Sequence, residues 1–389
     1  MFKKLFGKKE EIVEVASGEE IRIGVIADRT GITSAYSEMA VRGFGMAIEY
    51  ATNGSWKVGN RTLRMIVEDD RSDPEVGLVK AQKLMQEDDV HILQGCTGSG
   101  VTARLVRGLE LDRLFMIAVA ATDVVTGEWR SRYVFRTASC TGQDAAAGAK
   151  YAVDNLGRRF SLLAPASLWG RQSRAAWWNI VKAQGGEIVG DLIEPPHEKD
   201  FRDILERVLD SKPDVFVPSW IGPNISALFM QMREVGIFDK MKVAGGLVEN
   251  SVLEEVGDAV EGMICMVKYY HAFPKNPVND WLVARHQERY GTTPDLFTES
   301  GFSSGIALVE GLKRTNADTN VEKLIATLEG MSFVGPKGSY TFRKEDHQAL
   351  QPMYVAELVS VEGQRACQPT LIKEVSPNES APPMVALES

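Results

Sequence analysis

Val90-His91-Ile92-Leu93-Gln94 runs directly into Gly95-Cys96-Thr97-Gly98-Ser99-Gly100, so that an apolar strand ends in a cluster of small and hydroxyl residues from which a helix is expected to open. The pattern repeats downstream, where Leu114-Phe115-Met116-Ile117 precedes Ala118-Val119-Ala120-Ala121-Thr122. In a parallel sheet both clusters lie at the carboxyl ends of strands. Backbone N–H groups at the following helix N-termini are then free, and the helix dipole favours an anion. The two clusters predict a wall that binds an anion and carries no catalytic group.

Composition narrows the class of protein. The chain has 389 residues, of which 44% are hydrophobic and 25% charged, which is typical of a globular protein large enough for two domains. The formal net charge of -9 and scattered basic residues exclude nucleic acid as an expected partner. The four cysteines are Cys96, Cys140, Cys265 and Cys367. They are far apart, form no C-x-x-C pair and are expected to be buried thiols, so that no metal or cofactor is predicted.

Hydrophobic periodicity predicts alternating strands and helices. In the first part of the chain strands are expected at residues 21–27, 62–68, 90–94 and 114–117, with helices at 36–53 and 74–87. After a strand at 133–137 a second series follows, with helices at 142–155, 171–184, 200–209 and 223–235 and strands at 160–164, 187–193 and 215–218. Such βαβ series form parallel sheets with helices on both faces. Two similar lobes are therefore expected.

The remaining chain is expected to revisit both lobes. Helices at 279–290 and 297–315 and a strand-rich end would return to the first lobe before the chain finishes on the second. The predicted division is residues 21–141 with 271–343 for lobe 1, and 142–270 with 344–375 for lobe 2. Residues 1–20 are expected to be a leader or disordered, and residues 376–389, rich in Pro, Ser and Glu, to be disordered.

Motifs spread along residues 21–359 resemble the type I periplasmic binding proteins of the leucine/isoleucine/valine class. They are Ile23-Gly24-Val25 with Thr30-Gly31 and Ala35-Tyr36, the run from Glu68 to Pro74, the loop from Gly95 to Ser99, Ala120-Ala121-Thr122, the run from Tyr133 to Thr137, and the run from Asp295 to Gly301. The resemblance implies an α/β fold of two Rossmann-like lobes with parallel sheets, joined by a three-crossover hinge. It also implies a non-enzymatic chain, a monomer or weak dimer, that closes on a small ligand and delivers it to an ABC permease in the membrane.

The same resemblance implies a set of ligand-binding residues. In the family a Ser at the strand end and the Ala and Thr of an A-A-T run hold the ligand carboxylate. The matching positions are Ser99, Ala120 and Thr122, with Thr97, Gly98 and Ala121 completing the wall; helix capping is the alternative role for the hydroxyl residues. The remaining candidates line the cleft from either lobe, with core packing as the alternative role for Trp169 and Phe297: Tyr36, Trp169, Trp220, Ile221, Gly246 and Phe297.

One segment departs from the family pattern. Amino-acid binders hold the ligand ammonium with an acidic residue after the last strand of lobe 2, where this chain reads Ala244-Gly245-Gly246-Leu247-Val248 and has no carboxylate before Glu249. Glu249 and Glu299 are expected on the solvated surface, because Glu is seldom buried. Without a buried acid the ligand would be a carboxylate or amide lacking an ammonium, which the sequence favours; with one, a branched-chain or other apolar amino acid remains open.

The sequence allows two cellular compartments for this protein, the periplasm and the cytoplasm. The start, Met1-Phe2-Lys3-Lys4-Leu5-Phe6-Gly7, is basic like a secretory signal, but no apolar segment follows it. The positions aligned with the family's lobe 1 disulfide read Ser72 and Gly98. The family resemblance implies a periplasmic protein, whereas these departures allow a cytoplasmic sensor of amides or amino acids that regulates a partner.

Enzymatic alternatives find little support. Asp69 and Asp70 precede Asp73-Pro74, which is typical of a turn that starts a helix. The sequence contains no G-x-S-x-G elbow and no H-E-x-x-H motif, and the loop from Gly95 to Gly100 lacks the Lys of a P-loop. Cys96 at a strand end is a weak candidate nucleophile, because His91 lies behind it on a strand expected to be buried.

Overall fold

The computed structural model describes residues 20–222, 224–246 and 248–385. The first lobe begins with alternating strands and helices: β1 (Glu20–Ala27), α1 (Ser34–Ala51), β2 (Lys57–Val58), β3 (Arg61–Asp69), α2 (Pro74–Gln86), β4 (Ile92–Gly95), α3 (Ser99–Gly108), β5 (Leu114–Ile117) and β6 (Val134–Arg136). Within the described residues these strands form a six-stranded sheet in the order β2-β3-β1-β4-β5-β6. Every neighbouring pair in it is parallel except the hairpin of β2 and β3.

The second lobe repeats the alternation. Its elements are α4 (Thr141–Asn155), β7 (Arg159–Pro165), α5 (Leu168–Ala183), β8 (Glu187–Glu194), α6 (Arg202–Asp210), β9 (Val215–Pro218), α7 (Ile225–Glu234), α8 (Ile237–Lys240), β10 (Lys242–Gly246), α9 (Asn250–Val256) and β11 (Ile264–Val267). The strands from β7 to β11 are parallel, in the order β11-β10-β9-β7-β8.

The chain then returns to lobe 1 and ends on lobe 2. On lobe 1 lie α10 (Pro277–Tyr290), α11 (Leu296–Arg314), α12 (Val321–Leu328) and a small sheet of β12 (Ser332–Gly335), β13 (Gly338–Phe342) and β14 (Ala349–Leu350). The strands β15 (Met353–Val359) and β16 (Gln368–Val375) extend the sheet of lobe 2. The predicted α/β fold of two lobes joined by three crossovers is confirmed, although β15 and β16 pair antiparallel rather than parallel.

Local sequence explains how these elements begin and pack. The Asp73 carboxylate accepts hydrogen bonds from the first-turn amides of α2, directly before Pro74. Helices α1 and α11 cross closely because each has a glycine, without a side chain, at their contact. A Cβ on Gly43 would lie 1.9 Å from the Thr298 carbonyl oxygen, and one on Gly301 would lie 1.9 Å from that of Ala40. Any larger residue at either glycine would force the two helices apart.

Two sequence predictions need correction. No regular α-helix opens after Thr122; only a 3₁₀ turn, Asp123–Val125, is present there. The Asp123 carboxylate accepts hydrogen bonds from the Thr141 hydroxyl and the Gly142 amide, which hold this loop in a tertiary contact that overrides helix propensity. The second correction concerns the lobe boundary at 343/344, because Ala349 pairs with Phe342 and belongs to the lobe 1 core.

Residues 376–385, predicted to be disordered, are mostly exposed but are held to the rest of the chain by hydrogen bonds; residues 386–389 and 1–19 lie outside the described residues. The segment leaves β16 on lobe 2 and reaches lobe 1. There Arg343 donates to the Pro382 carbonyl at 2.9 Å and Arg130 donates to the Val385 carbonyl at 2.6 Å. We call residues 376–385 the C-terminal strap. Composition could not reveal it, because arginines far away in the sequence provide the contacts. None of the helices in the described ranges is both long and apolar enough to cross a bilayer.

Candidate functional site

A cavity of about 160 Å³ lies between the two lobes. It opens at the carboxyl ends of the parallel strands, where β1 and β4 are neighbours in lobe 1 and β7 and β9 in lobe 2. Strand order reverses at these pairs, and ligands of open α/β sheets bind at such points. An apolar cavity of similar volume holds one benzene-sized molecule.

Most of the predicted residues line this cavity. From lobe 1 they are Tyr36, Thr97, Gly98, Ser99, Ala121 and Phe297, and from lobe 2 Trp169, Trp220, Ile221 and Gly246. Gly98 caps α3 and Ser99 is its first residue, so the unpaired amides of the first helical turn point toward the cavity end of the helix. The wall has the donors that an anion needs.

Ala120 and Thr122 do not belong to the lining, contrary to the sequence prediction. Both are buried, and the Ala120 amide donates to the Cys96 carbonyl at 3.2 Å. The Thr122 hydroxyl donates to Oε1 of Gln172 at 2.5 Å, across the gap between the lobes. The Thr122 hydroxyl, which the family resemblance assigned to the ligand, is therefore already hydrogen-bonded to a residue of lobe 2.

The lobe 1 side of the cavity carries an aromatic pair. The rings of Tyr36, on α1, and Phe297, on α11, stack with centroids 4.4 Å apart and planes 21° from parallel. The Gly222 amide of lobe 2 donates to the Tyr36 hydroxyl at 3.2 Å, so the pair also contacts the opposite lobe. Burial raises the pKa of the Tyr36 phenol above its ordinary value, and the nearby Glu249 carboxylate acts in the same direction.

The lobe 2 side is dominated by indole rings. Trp169 lies in the first turn of α5, which begins at Leu168 rather than at the predicted residue 171 because the Ser167 hydroxyl caps it. Trp177, two turns further along α5, and Trp220, after β9, complete this set. Apolar neighbours widen the surface: Ile221, Ile225, Phe229, Val248 and Met266. A flat apolar group of a ligand would find contacts here.

Glu249 is the main departure from the sequence analysis. It follows β10, lines the cavity and is only 5% exposed, so the prediction of a solvated surface position is wrong. Its Oε2 has no hydrogen-bond partner among the described residues. Burial raises the pKa of this carboxyl to about 7, and the Asp295 carboxylate adds to the shift. The Tyr36 hydroxyl acts in the opposite direction. A buried carboxyl with one free oxygen in a cavity wall can bind a cationic or hydrogen-bond-donating ligand.

Glu299 is also buried, although it lies away from the cavity lining. Its carboxylate accepts hydrogen bonds from Ser303 and Tyr340 inside lobe 1. The prediction of a solvated position is wrong here too, because hydroxyl groups on α11 and β13 satisfy the carboxylate. Glu299 is thus a structural residue, and Glu249 is the acid that reaches the cavity.

An ion pair completes the lobe 2 wall. Lys268 Nζ lies 2.8 Å from Asp144 Oδ2, and both residues line the cavity. Sequence analysis missed this pair and Trp177. Lys268 follows β11 at a strand end and Asp144 lies in the first turn of α4, so the strand-end argument applied to lobe 1 would have found Lys268 if extended to lobe 2.

The structure gives no support to the cysteine as a nucleophile. Burial raises the pKa of the Cys96 thiol well above its ordinary value, whereas a reactive cysteine needs a lowered one. The prediction of four buried thiols is confirmed. Within the described ranges no group of His, Cys, Asp and Glu is arranged to hold a metal ion.

Comparisons with known proteins agree with this geometry. The family model described as Periplasmic binding protein matches residues 20–364. A Leu/Ile/Val-binding protein homolog of Brucella abortus is 23% identical over 361 residues, covering 89% of this chain and 90% of the relative. A solved ABC-type branched-chain amino acid transporter protein of Rhodopseudomonas palustris is 30% identical, with a TM-score of 0.83, covering 95% of this chain and 100% of that one.

A third relative has the same fold at lower identity. It is a solute-binding protein of an ABC transporter from Rhodopseudomonas palustris, solved with 3,4-dihydroxybenzoic acid, 23% identical with a TM-score of 0.83, covering 92% of this chain and 98% of that one. With a family match over most of the chain and two lobes around a cavity, the chain belongs to the type I periplasmic binding proteins of the leucine/isoleucine/valine class, the substrate-binding proteins of ABC transporters.

Proposed function

We propose that the ligand is an apolar α-amino acid, held by its carboxylate on lobe 1 and by its ammonium on lobe 2. The carboxylate would lie on the Ser99 hydroxyl and the free amides at the start of α3, beside Ala121. The ammonium would lie on the Glu249 carboxylate. The side chain would rest between Trp169 and the aromatic pair of Tyr36 and Phe297.

The unpartnered Glu249 oxygen is the observation that carries this proposal. Burying an ammonium without a counter-charge costs several kcal/mol, out of the roughly 8 kcal/mol that micromolar binding represents. The sequence favoured a ligand without an ammonium because no acid was expected in the cavity. With Glu249 buried in the wall, that reason no longer holds.

Charge balance in the cavity supports the same assignment. Lys268 is paired with Asp144, and its charge lowers the pKa of Glu249 by less than burial raises it. Glu249 has no such cation at hydrogen-bond distance among the described residues, and the Asp295 carboxylate raises its pKa further. A ligand cation would lower the pKa of Glu249 again by stabilising its ionised form.

An aromatic carboxylic acid is the second candidate. It is favoured by the three indoles of Trp169, Trp177 and Trp220 in one wall. A carboxyl whose pKa is about 7 is partly protonated at neutral pH and could accept a hydrogen bond from a ring hydroxyl. The Rhodopseudomonas palustris protein solved with 3,4-dihydroxybenzoic acid has the same fold.

We further propose that the chain acts in the periplasm as a monomer or weak dimer and delivers its ligand to an ABC permease in the membrane. The family match supports this placement. The alternative, a cytoplasmic sensor of amides or amino acids, would require a regulated partner in place of a permease. An in-frame apolar leader upstream of the start codon, together with neighbouring permease and ATPase genes, would favour the importer.

Calorimetry with leucine, phenylalanine, benzoate and acetamide distinguishes the two ligand classes. We expect leucine or phenylalanine to bind at micromolar affinity or better, and benzoate and acetamide to bind weakly. Glu249→Gln should weaken the amino acid and leave benzoate unchanged. Tight benzoate binding together with absent leucine and phenylalanine binding would replace the first candidate with the second.

A further inference from the structure

Gln172 joins the two lobes at a point beside the cavity. It lies in the second turn of α5, on lobe 2, and its Oε1 accepts two hydrogen bonds from lobe 1. The Thr122 hydroxyl donates at 2.5 Å and the Asp123 amide at 2.6 Å. Gln172 does not line the cavity. Its contacts therefore depend on the position of the lobes, without direct contact to a ligand in the cavity.

The two donors of lobe 1, the Thr122 hydroxyl and the Asp123 amide, are held in position to bind Gln172 Oε1. Thr122 is fully buried, and in the described part of the chain neither its hydroxyl nor the Asp123 amide donates to another acceptor. The Asp123 carboxylate is fixed by Thr141 and Gly142, which holds the loop in place. If the lobes separate, two donors and one acceptor lose their partners and must be satisfied by water.

Two other hydrogen bonds between the lobes lie at or beside the cavity wall. The bond from Gly222 ends on Tyr36, which lines the cavity, and the Asn250 amide donates to Asp295 at 2.8 Å directly beside Glu249. A ligand that contacts Tyr36 or Glu249 would alter both. Gln172 lies outside the cavity lining, so it can be changed while the predicted ligand contacts stay intact.

We propose that Gln172 is a closure latch, a positioning residue that stabilises the closed form and thereby slows ligand release. The inference rests on the proposed function, in which a ligand docks on lobe 1 and lobe 2 closes over it. The latch exists only in the closed form, with or without ligand, so breaking it favours opening and raises the dissociation rate of a bound ligand. It also explains why the threonine of the A-A-T run is withdrawn from the ligand in this chain.

The first test is the affinity and kinetics of Gln172→Ala, with Gln184→Ala as the matched control at the exposed end of the same helix. We expect Gln172→Ala to bind the amino acid about tenfold more weakly, through a faster dissociation rate at an unchanged association rate. Gln184→Ala should match the wild type. Equal dissociation rates in the wild type and Gln172→Ala would overturn the latch.

A double-mutant cycle excludes a merely structural effect. Thr122→Val removes the hydroxyl from the other side of the same contact, and combining it with Gln172→Ala should add less than the sum of the single effects. Thr122→Val also serves if Gln172→Ala fails to fold. Full additivity of the two changes would show that they do not act through one another.

A measurement without ligand separates this inference from the proposed function. Small-angle scattering of the ligand-free chain should give a larger radius of gyration for Gln172→Ala than for Gln184→Ala, because the closed form loses its latch. If none of the test ligands binds the wild type, the ligand proposal fails while this comparison still decides the latch. An identical radius of gyration in both variants would overturn it.

Discussion

Lys268 Nζ lies 2.8 Å from Asp144 Oδ2 in the wall of the cavity, and the two charges neutralise each other there. The pair comes from two different parts of lobe 2, since Asp144 lies in the first turn of α4 and Lys268 follows β11. With this pair satisfied internally, Glu249 is left as the carboxyl of the wall that lacks a partner for one of its oxygens within the described residues. We therefore expect Glu249 to be the group that selects a ligand by its charge.

Glu249→Gln tests this selectivity. We expect the variant to bind leucine or phenylalanine at least tenfold more weakly, about 1.4 kcal/mol or more, because a neutral amide cannot compensate a buried ammonium. Calorimetry against Glu254→Gln, an exposed glutamate on α9, provides the control. Equal amino-acid affinity in the two variants would mean that the ammonium lies elsewhere.

The pH dependence of stability gives a second test of Glu249. Burial raises its pKa from 4.5 to about 7, so the folded chain holds this proton more tightly than the unfolded chain. The free energy of unfolding therefore falls as the pH rises from about 4.5 to about 7. Relative to the wild type, ligand-free Glu249→Gln should gain about 1 to 3 kcal/mol between pH 5 and pH 8.

Urea unfolding at both pH values measures this gain. Asp70 also has a pKa raised to about 6 by burial, but it is present in both proteins and cancels in the comparison. The pKa of Asp295 is likewise raised to about 6; this carboxylate interacts with Glu249, so its response is part of the measured difference. A stability difference that is the same at pH 5 and pH 8 would contradict the raised pKa of Glu249.

Ser99→Ala tests the anion wall on lobe 1. Removing the hydroxyl at the first position of α3 should weaken binding of any carboxylate ligand by about tenfold or more, because one hydrogen bond to a charged group contributes about 1.5 to 3 kcal/mol. The effect should appear for amino acids and aromatic acids alike, because both place a carboxylate there. Ser251→Ala, at an exposed position on α9, is the control. If Ser99→Ala weakens the binding of neither class of ligand, the carboxylate binds at another wall of the cavity.

Lys268→Met tests the ion pair. Without the lysine, the largely buried Asp144 carboxylate loses its partner, and we expect a loss of about 1 to 3 kcal/mol in the free energy of unfolding; the partial exposure of the lysine keeps the loss in this range. Adding Asp144→Asn should recover much of this loss, because no charge is then left unpaired. Urea unfolding of the single and double variants checks both statements. A double variant no more stable than the single one would argue against charge as the cause.

The sequence predicted the fold well because strand and helix periods are local. The strand-end clusters at Ser99 and Ala121 followed from the same local pattern. Thr122 could not be placed correctly, because its partner Gln172 lies 50 residues away on the other lobe. Glu249 is buried by the approach of lobe 1 residues such as Tyr36 and Asp295, which no pattern around position 249 reveals.

The C-terminal strap gives the hinge a fourth connection. Residues 376–385 run from the end of β16 to Arg343 and Arg130 on lobe 1, so separating the lobes must either extend these residues or detach them. An extended chain spans at most about 3.3 to 3.6 Å per residue, which sets an upper limit on how wide the cleft can become while the strap stays attached. The amplitude of opening is therefore restricted by a tether outside the hinge, and release of the tether would enlarge the entrance through which a ligand arrives.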